Sequence, residues 1–260
     1  MELEDGFLDL KLNEVVPLFR HEHQSEYLII FKVKSFLDEL QNTFVGNIVS
    51  KRDIFLYASI LELSKLFQSA VLLFERGLSE AAKIVIRSIL ELSFKIIELT
   101  RNENFMQEMI LDVSSESLAT LIKMKESGLY DFIIDKNCFD ELLNDFQKVK
   151  AKSSKVNIRA SELAKRNGLE NEYILYRTYC GYTHLSAQVI DELIEINPDG
   201  VILNGDFRLD DFSESIAMLA SITMISFSKI LQYLTVGENL KNQFDLLQDD
   251  FVKVFKHRQE

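Results

Sequence analysis

The sequence has few residues that interrupt a helix. Among 260 residues there are only 2 prolines and 9 glycines, and long segments contain neither. Apolar residues make up 47% of the chain, which is typical of a globular protein and argues against a disordered one. Because proline and glycine break helices most strongly, their scarcity predicts a mostly helical protein.

Cysteine is also scarce. Cys138 and Cys180 are the only two, which is too few to indicate a disulfide framework or a zinc site, and reduced thiols are what we expect.

Residues 1–5 are acidic where a secretory signal would be basic. The longest uncharged run, Ser215 to Ser228, is too short to span a bilayer and predicts a buried core helix. We therefore expect a cytoplasmic protein that does not interact with a membrane.

Basic residues are fewer than acidic ones, and the resulting net charge of -12 argues against a general nucleic-acid coating protein. The cations are nevertheless concentrated between residues 148 and 166, where seven of them accompany one carboxylate. One interpretation is a solvated helix face; the sharper one is a landing site for a phosphate backbone. The residues that would bind RNA there are Lys148, Lys150, Lys152, Lys155 and Arg159.

The apolar periodicity predicts one helical bundle domain over residues 51–260, with an N-terminal helical extension over residues 1–50. Its most secure element is a helical hairpin of residues 53–76 and 79–101, with Gly77 ending the first arm and Ser79 capping the second. Shorter helices are predicted over residues 24–42, 103–111, 115–126, 136–152 and 156–166, and longer ones over 169–196, 211–234 and from 238 to 257. A β-hairpin is predicted near residues 201–208, around Asn204-Gly205. The expected fold class is all-α.

Arg177 and His184 form the candidate catalytic pair. His184 is seven positions after Arg177, nearly two turns of the predicted helix 169–196, so both side chains leave from one face. The small residues Cys180 and Gly181 lie between them and leave a shallow notch. An anion held there by the arginine would be within reach of an imidazole that exchanges protons near neutral pH, as work on a phosphodiester requires. The alternative is a buried, structural histidine.

Further polar side chains are candidates for supporting this notch. Arg87 and Glu91 are one turn apart on a helix whose other positions are mostly apolar, and Lys83 and Lys95 extend the same stripe. Such a helix is expected to be buried, so its polar stripe would face something specific, such as Arg177 or His184; the alternative is a solvent-facing stripe of weak ion pairs. Tyr173 and Tyr179 are the other supporting candidates.

No cofactor or metal site is expected. The sequence has no glycine-rich phosphate loop, no Gly-x-Ser-x-Gly elbow and no Glu-x-x-His pattern. His21 and His23 are two residues apart and do not share a helix face, so they do not indicate metal ligands.

Two separated motifs carry a resemblance. Residues 76–82 (Arg-Gly-Leu-Ser-Glu-Ala-Ala) with 87–91 (Arg-Ser-Ile-Leu-Glu), followed by 179–186 (Tyr-Cys-Gly-Tyr-Thr-His-Leu-Ser), resemble an uncharacterised prokaryotic helical family of unknown function. The second motif is also similar to the Arg-x(4 to 6)-His motif of the HEPN superfamily, here with the longest of those spacings.

The HEPN resemblance implies a metal-independent endoribonuclease, active in toxin–antitoxin or antiviral defence, that forms a homodimer so that two motifs share one cleft. It implies that Arg177 stabilises charge on the phosphate and that His184 acts as acid or base. The alternative function is a non-catalytic helical module that binds a partner protein or a nucleotide.

Overall fold

The computed structural model describes residues 12–127, 136–151, 157–183, 194–197, 200–203, 212–234 and 237–256. This part of the chain contains ten α-helices and one small two-stranded sheet, so the predicted all-α class is confirmed. The helices are α1 Leu12–Glu22, α2 Gln24–Val45, α3 Lys51–Glu75, α4 Ser79–Arg101, α5 Phe105–Ser127, α6 Lys136–Ala151, α7 Ala160–Asn167, α8 Glu170–Cys180, α9 Phe212–Tyr233 and α10 Glu238–Lys256.

The hairpin of α3 and α4 forms as predicted. Ser50 and Asp53 make a capping box at the start of α3, since each side chain accepts a hydrogen bond from the other's backbone N–H. Gly77 follows α3 with a φ of 71°, the left-handed conformation that only glycine adopts without strain. Ser79, predicted to cap α4, is instead its first residue; the cap position belongs to Leu78, which makes no side-chain cap bond.

The core is built around α4 and α9. The α4 helix packs against α3 on one side and α9 on another, and α2 packs against α3, α9 and α10. The uncharged run from Ser215 to Ser228 lies within α9, and the prediction of a buried core helix is confirmed. By length and composition alone both α3 and α9 could cross a membrane, although 61% of the α9 window is buried inside the protein.

Residues before the predicted bundle domain share its core. Ile29, Val33 and Leu37 of α2 are fully buried in the same cluster as residues of α3, α4 and α9. A second, smaller cluster lies between α5 and α6, where Leu118 and Phe139 are buried. The α5–α6 pair therefore has apolar contacts of its own, apart from the main core.

The largest difference from the predicted elements is in the segment after Gly168. Gly168 ends α7 with a φ of 69°, as predicted. The next helix, expected to run over residues 169–196, ends at Cys180 and is followed by a 3-10 turn over Gly181–Thr183. The Thr183 hydroxyl donates to the Cys180 carbonyl at 2.7 Å, which satisfies a backbone acceptor that a continuing helix would use.

Residues 194–196, at the end of that predicted helix, belong to a strand. Ile194–Asn197 pairs antiparallel with Gly200–Leu203, in a register that joins Asn197 to Gly200. The β-branched residues on either side of the Asn-Pro-Asp-Gly sequence, Ile194 and Ile196 before it and Val201 and Ile202 after it, favour this pairing. The predicted strand 201–203 is therefore present with another partner, while its expected partner 206–208 and the Asn204-Gly205 turn lie outside the described residues.

The two short helices predicted at 103–111 and 115–126 are a single helix, α5. Ser114 sits at the expected interruption, but its hydroxyl donates to the Ile110 carbonyl at 2.6 Å. A serine that bonds back to the preceding turn is compatible with an uninterrupted helix.

Candidate functional site

The polar stripe of α4 faces α8 and the turn that follows it. At one end of the stripe, Lys83 is only 5% exposed. Its Nζ donates to the Tyr182 hydroxyl at 3.3 Å and lies 4.7 Å from the centre of the Tyr182 ring. A cation this deep in the bundle is stabilised by the electron-rich ring and by hydrogen bonding, so the stripe is not a solvent-facing surface along its whole length.

Arg87, one turn further along α4, joins α4 to α8 directly. Its Nη2 donates to the Tyr176 hydroxyl at 2.8 Å and its Nε to the Cys180 Sγ at 3.3 Å. The Glu91 carboxylate lies 3.5 Å from the same Nη2. Burial disfavours the charged form of Arg87, but the bond to Cys180 and the electrostatic interactions with Tyr176, Cys180 and Glu91 outweigh it and raise the pKa of the guanidinium. Arg87 is therefore a fixed cation at this junction.

The stripe opens towards solvent at its other end. Glu91 accepts from Lys95 at 2.9 Å, and both side chains are about one-third exposed. The Tyr176 hydroxyl lies among these charges; burial and then the nearby Glu91 carboxylate raise the pKa of this phenol. Tyr176 is consequently neutral at physiological pH, and its hydroxyl oxygen can accept the Arg87 bond.

Aromatic rings line α8 beside this junction. The rings of Tyr173 and Tyr176 are stacked, with centres 5.8 Å apart and planes inclined by 19°. Phe94 of α4 lies against Tyr176 from the core side, at 6.2 Å between ring centres. Tyr179, the other supporting candidate, points into the core and contacts the ring of Tyr182 at 6.1 Å.

Arg177 lies on the outer surface of α8. It follows Tyr176 in the chain and is exposed, as are its neighbours Ile174 and Thr178. Arg87 contacts Tyr176 and Cys180, which lie on α8 with Arg177 between them, and its expected role in orienting Arg177 stays a prediction.

His184 lies outside the described residues. The prediction of one helix over residues 169–196, which would carry Arg177 and His184 on one face, is wrong, because α8 ends at Cys180. A 3-10 turn rotates successive side chains by more than an α-helix does, so seven residues no longer correspond to two α-helical turns. The pairing of Arg177 with His184 thus stays a prediction.

The basic segment is only partly described. Lys148 is exposed and forms an ion pair with Asp145 at 3.0 Å. Arg159, also exposed, precedes α7 and lines a depression of about 340 Å³ together with Glu108, Glu162 and Arg166. Lys150 lies in α6, and Lys152 and Lys155 fall outside the described residues. Carboxylates therefore lie near both Lys148 and Arg159, and RNA binding by this segment stays a prediction.

In the part of the chain that the structure describes, no three His, Cys, Asp or Glu side chains lie close enough together to hold a metal ion. Cys180 is a free thiol and its Sγ accepts from Arg87. The groups available at the junction are cations, phenols, a thiol and the Glu91 carboxylate.

Two partners of the stripe were missed in the sequence, Tyr176 and Tyr182. A matching spacing in the two helices could have indicated the contact. Lys83 and Arg87 are one turn apart on α4, and Tyr176 and Cys180 are one turn apart on α8. Matching rows of this kind identify two helix faces that can meet, but only the fold shows which face meets which.

The chain belongs to a family of unknown function, DUF5677, whose model matches residues 53–201. The matched region begins near the start of α3 and ends in the second strand, so it contains the α4 stripe and the whole of α8. No curated protein and no solved structure matches the chain. Membership of an uncharacterised family is thus confirmed, and the similarity to the HEPN superfamily stays a prediction.

Proposed function

We propose that this protein is a metal-independent endoribonuclease of the HEPN type, and that the face formed by α4 and α8 binds the RNA phosphodiester. The observation that carries the proposal is the position of Arg87. Its side chain is 26% exposed, and its guanidinium is fixed between the two helices by Tyr176 and Cys180, which lie before and after Arg177 on α8. A cation held in a partly buried site attracts an anion more strongly than one free in water.

The proposed reaction is a transfer within the RNA. The ribose 2′-oxygen attacks the adjacent phosphorus, and the bond from phosphorus to the 5′-oxygen of the next nucleotide breaks. His184 moves the protons, taking one from the 2′-hydroxyl and returning one to the leaving oxygen. Arg177 stabilises the added negative charge on the phosphorus oxygens. The products are a 2′,3′-cyclic phosphate and a 5′-hydroxyl, and no redox partner or metal is required.

The α4 stripe supports this reaction through position and charge. Lys83 and Arg87 hold the turn after α8 and α8 itself against the central helix. The orientation of Arg177 then depends on contacts within a rigid core, which is the way in which precise catalytic geometry is maintained.

A second function, binding of a partner protein or a nucleotide without catalysis, is favoured by one observation. Arg87 already has three partners within the protein, Tyr176, Cys180 and Glu91, so it acts as a structural cation without any ligand. In that function the exposed surface of α8 around Arg177 would contact the partner.

The deciding experiment is cleavage of total RNA and transfer RNA by the purified full chain in excess EDTA, with analysis of the product ends. We expect cyclic phosphate ends, complete loss of cleavage in His184→Ala, and a comparable loss in Arg177→Ala. Lys241→Ala, which removes an exposed cation from α10, serves as the control and should cleave normally.

A variant in which Lys148, Lys150 and Lys152 are neutralised should bind RNA more weakly, with a flatter dependence on salt, because fewer counterions are released. Its rate at saturating RNA should change little. Cleavage that survives His184→Ala would overturn the mechanism, and RNA binding without cleavage by the wild type would favour the binding module.

The same resemblance leads us to propose a cytoplasmic homodimer that acts in toxin–antitoxin or antiviral defence. In such a dimer two Arg177 side chains would share one cleft. Light scattering at micromolar concentration should give twice the mass of 30.1 kDa, and a monomer would contradict this part of the proposal.

A further inference from the structure

The stacked rings of Tyr173 and Tyr176 form a surface that no step of the proposed reaction uses. Both side chains are half-buried, and they pack on each other at 5.8 Å. Ile174, 63% exposed, lies beside them on α8. An apolar and aromatic surface of this kind, next to an exposed arginine, is the composition of surfaces that bind unstacked nucleotides.

The inner ring of the stack is held in place from three directions. Its hydroxyl accepts from Arg87 at 2.8 Å, Phe94 lies on the core side at 6.2 Å, and Tyr173 covers the outer side. The hydrogen bond restrains the Tyr176 ring, so the ring of Tyr173 stacks on a rigid support. A preorganised ring loses little conformational freedom when a further ring is added to the stack.

We propose that Tyr173 is the stacking residue for one unpaired nucleobase of the RNA substrate. Tyr173 precedes Arg177 by four residues, which is one helical turn or about 6 Å along the axis. A base on Tyr173 and its neighbouring phosphate at Arg177 would follow α8 in one direction. The inference deepens the proposed function, on which it rests, by assigning a base-binding residue and by requiring that this nucleotide be unpaired.

Aromatic stacking explains two features that a purely electrostatic site would not need. Phosphate binding requires neither an exposed Ile174 nor a paired set of rings, whereas a nucleobase has two apolar faces that such a surface covers. The phenol hydroxyl of Tyr173 has no part in the stack, so the ring alone should be sufficient.

The test measures binding of a synthetic single-stranded RNA whose 2′-hydroxyls are methylated, which removes the nucleophile and prevents cleavage. One position carries the fluorescent base 2-aminopurine. Tyr173→Leu keeps apolar volume and loses the ring, Tyr173→Phe keeps the ring and loses the hydroxyl, and Tyr57→Leu removes a half-buried ring from α3 as the control.

We expect wild type and Tyr173→Phe to bind equally and to quench the fluorescence. Tyr173→Leu should bind about tenfold more weakly and lose the quenching, as expected for the loss of one stacked base, while Tyr57→Leu should match the wild type. Urea unfolding of Tyr173→Leu verifies that the variant is folded, and the quenching signal distinguishes stacking from a general loss of structure.

The two proposals fail in different ways. RNA binding by the wild type with unchanged affinity and quenching in Tyr173→Leu overturns the role of Tyr173 and leaves the ribonuclease proposal in place. Equal affinity for a fully paired duplex of the same sequence also overturns it, because a paired base is not available for stacking. Absence of RNA binding by the wild type overturns both proposals.

Discussion

Single buried carboxylates connect the helices of this protein. Glu26 of α2 has no exposed surface and accepts hydrogen bonds from the hydroxyls of Ser25 and Ser213, the second of these from α9. Burial alone would raise the pKa of Glu26, but the bonds from Ser213, Ser25, its own backbone and His23 outweigh it and lower the pKa to about 2. An ionised carboxylate is thus part of the contact between α2 and α9.

Replacing Glu26 with glutamine should lower the free energy of unfolding by about 2 kcal/mol at pH 7, because charge-assisted bonds become neutral ones in a buried site. Since the pKa of Glu26 is lower in the folded protein than its ordinary 4.5, the carboxylate contributes fully above pH 4.5, and this contribution is lost as pH falls towards 2. Urea unfolding at pH 7 and near pH 3 measures both effects.

Glu39→Gln is the matched control for Glu26→Gln, because Glu39 is exposed on the same helix. Its unfolding free energy should differ from the wild type by less than about 0.5 kcal/mol at either pH. If Glu26→Gln were as stable as this control at pH 7, the buried carboxylate would have no stabilising role.

The helix ends that a glycine determines could be predicted from the sequence, whereas the end of α8 could not. Gly77 and Gly168 take positive φ values at the two helix ends predicted for them. No residue with a positive φ ends α8 at Cys180. Gly181 keeps a helical φ of -59°, and a 3-10 turn follows the α-helix. A local change of this kind depends on tertiary contacts, such as Lys83 with Tyr182, that periodicity does not contain.

Gly168→Ala tests the role of the left-handed helix end. An added Cβ at Gly168 would meet no atom within 4 Å, so any cost comes from the backbone conformation itself, with its φ of 69°. We expect a loss of about 1 kcal/mol in the free energy of unfolding. Chemical denaturation of the purified variant measures it.

Gly46→Ala is its control, because Gly46 ends α2 with a φ of -74°, which any residue adopts. There the alanine should be neutral or stabilise by about 0.5 kcal/mol, since it restricts the unfolded chain. Equal effects at the two positions would show that the conformation at Gly168 does not determine the result.

At the scale of the whole molecule, the structural unit is larger than the region that the family model matches. The family model matches residues 53–201, yet the core helices α2 and α9 lie outside that range. Buried side chains of α2, such as Ile29 and Val33, belong to the same cluster as those of α3 and α4. The all-α class was predictable from composition and periodicity, whereas the share of the N-terminal segment in the core depends on which helices meet.

A fragment of residues 53–201 should therefore fail to fold cooperatively. Without α2 and α9 it would expose apolar faces of α3 and α4, and that surface is a large part of the driving force for folding. Circular dichroism during urea unfolding should show a broad transition for the fragment and a sharp one for the full chain. A sharp transition in the fragment would mean that the flanking helices are dispensable.

Hydrogen exchange of the full chain, with and without the 2′-methylated single-stranded RNA, tests most directly whether the face of α4 and α8 is the RNA site. Backbone amides of α8, Glu170–Cys180, should exchange more slowly with RNA, because bound RNA would restrain this helix and limit its opening. Amides of α10, which packs against α2 and α9, should be unchanged. Protection confined to other elements, or no protection at an RNA concentration that saturates binding, would contradict the assignment of this face as the site.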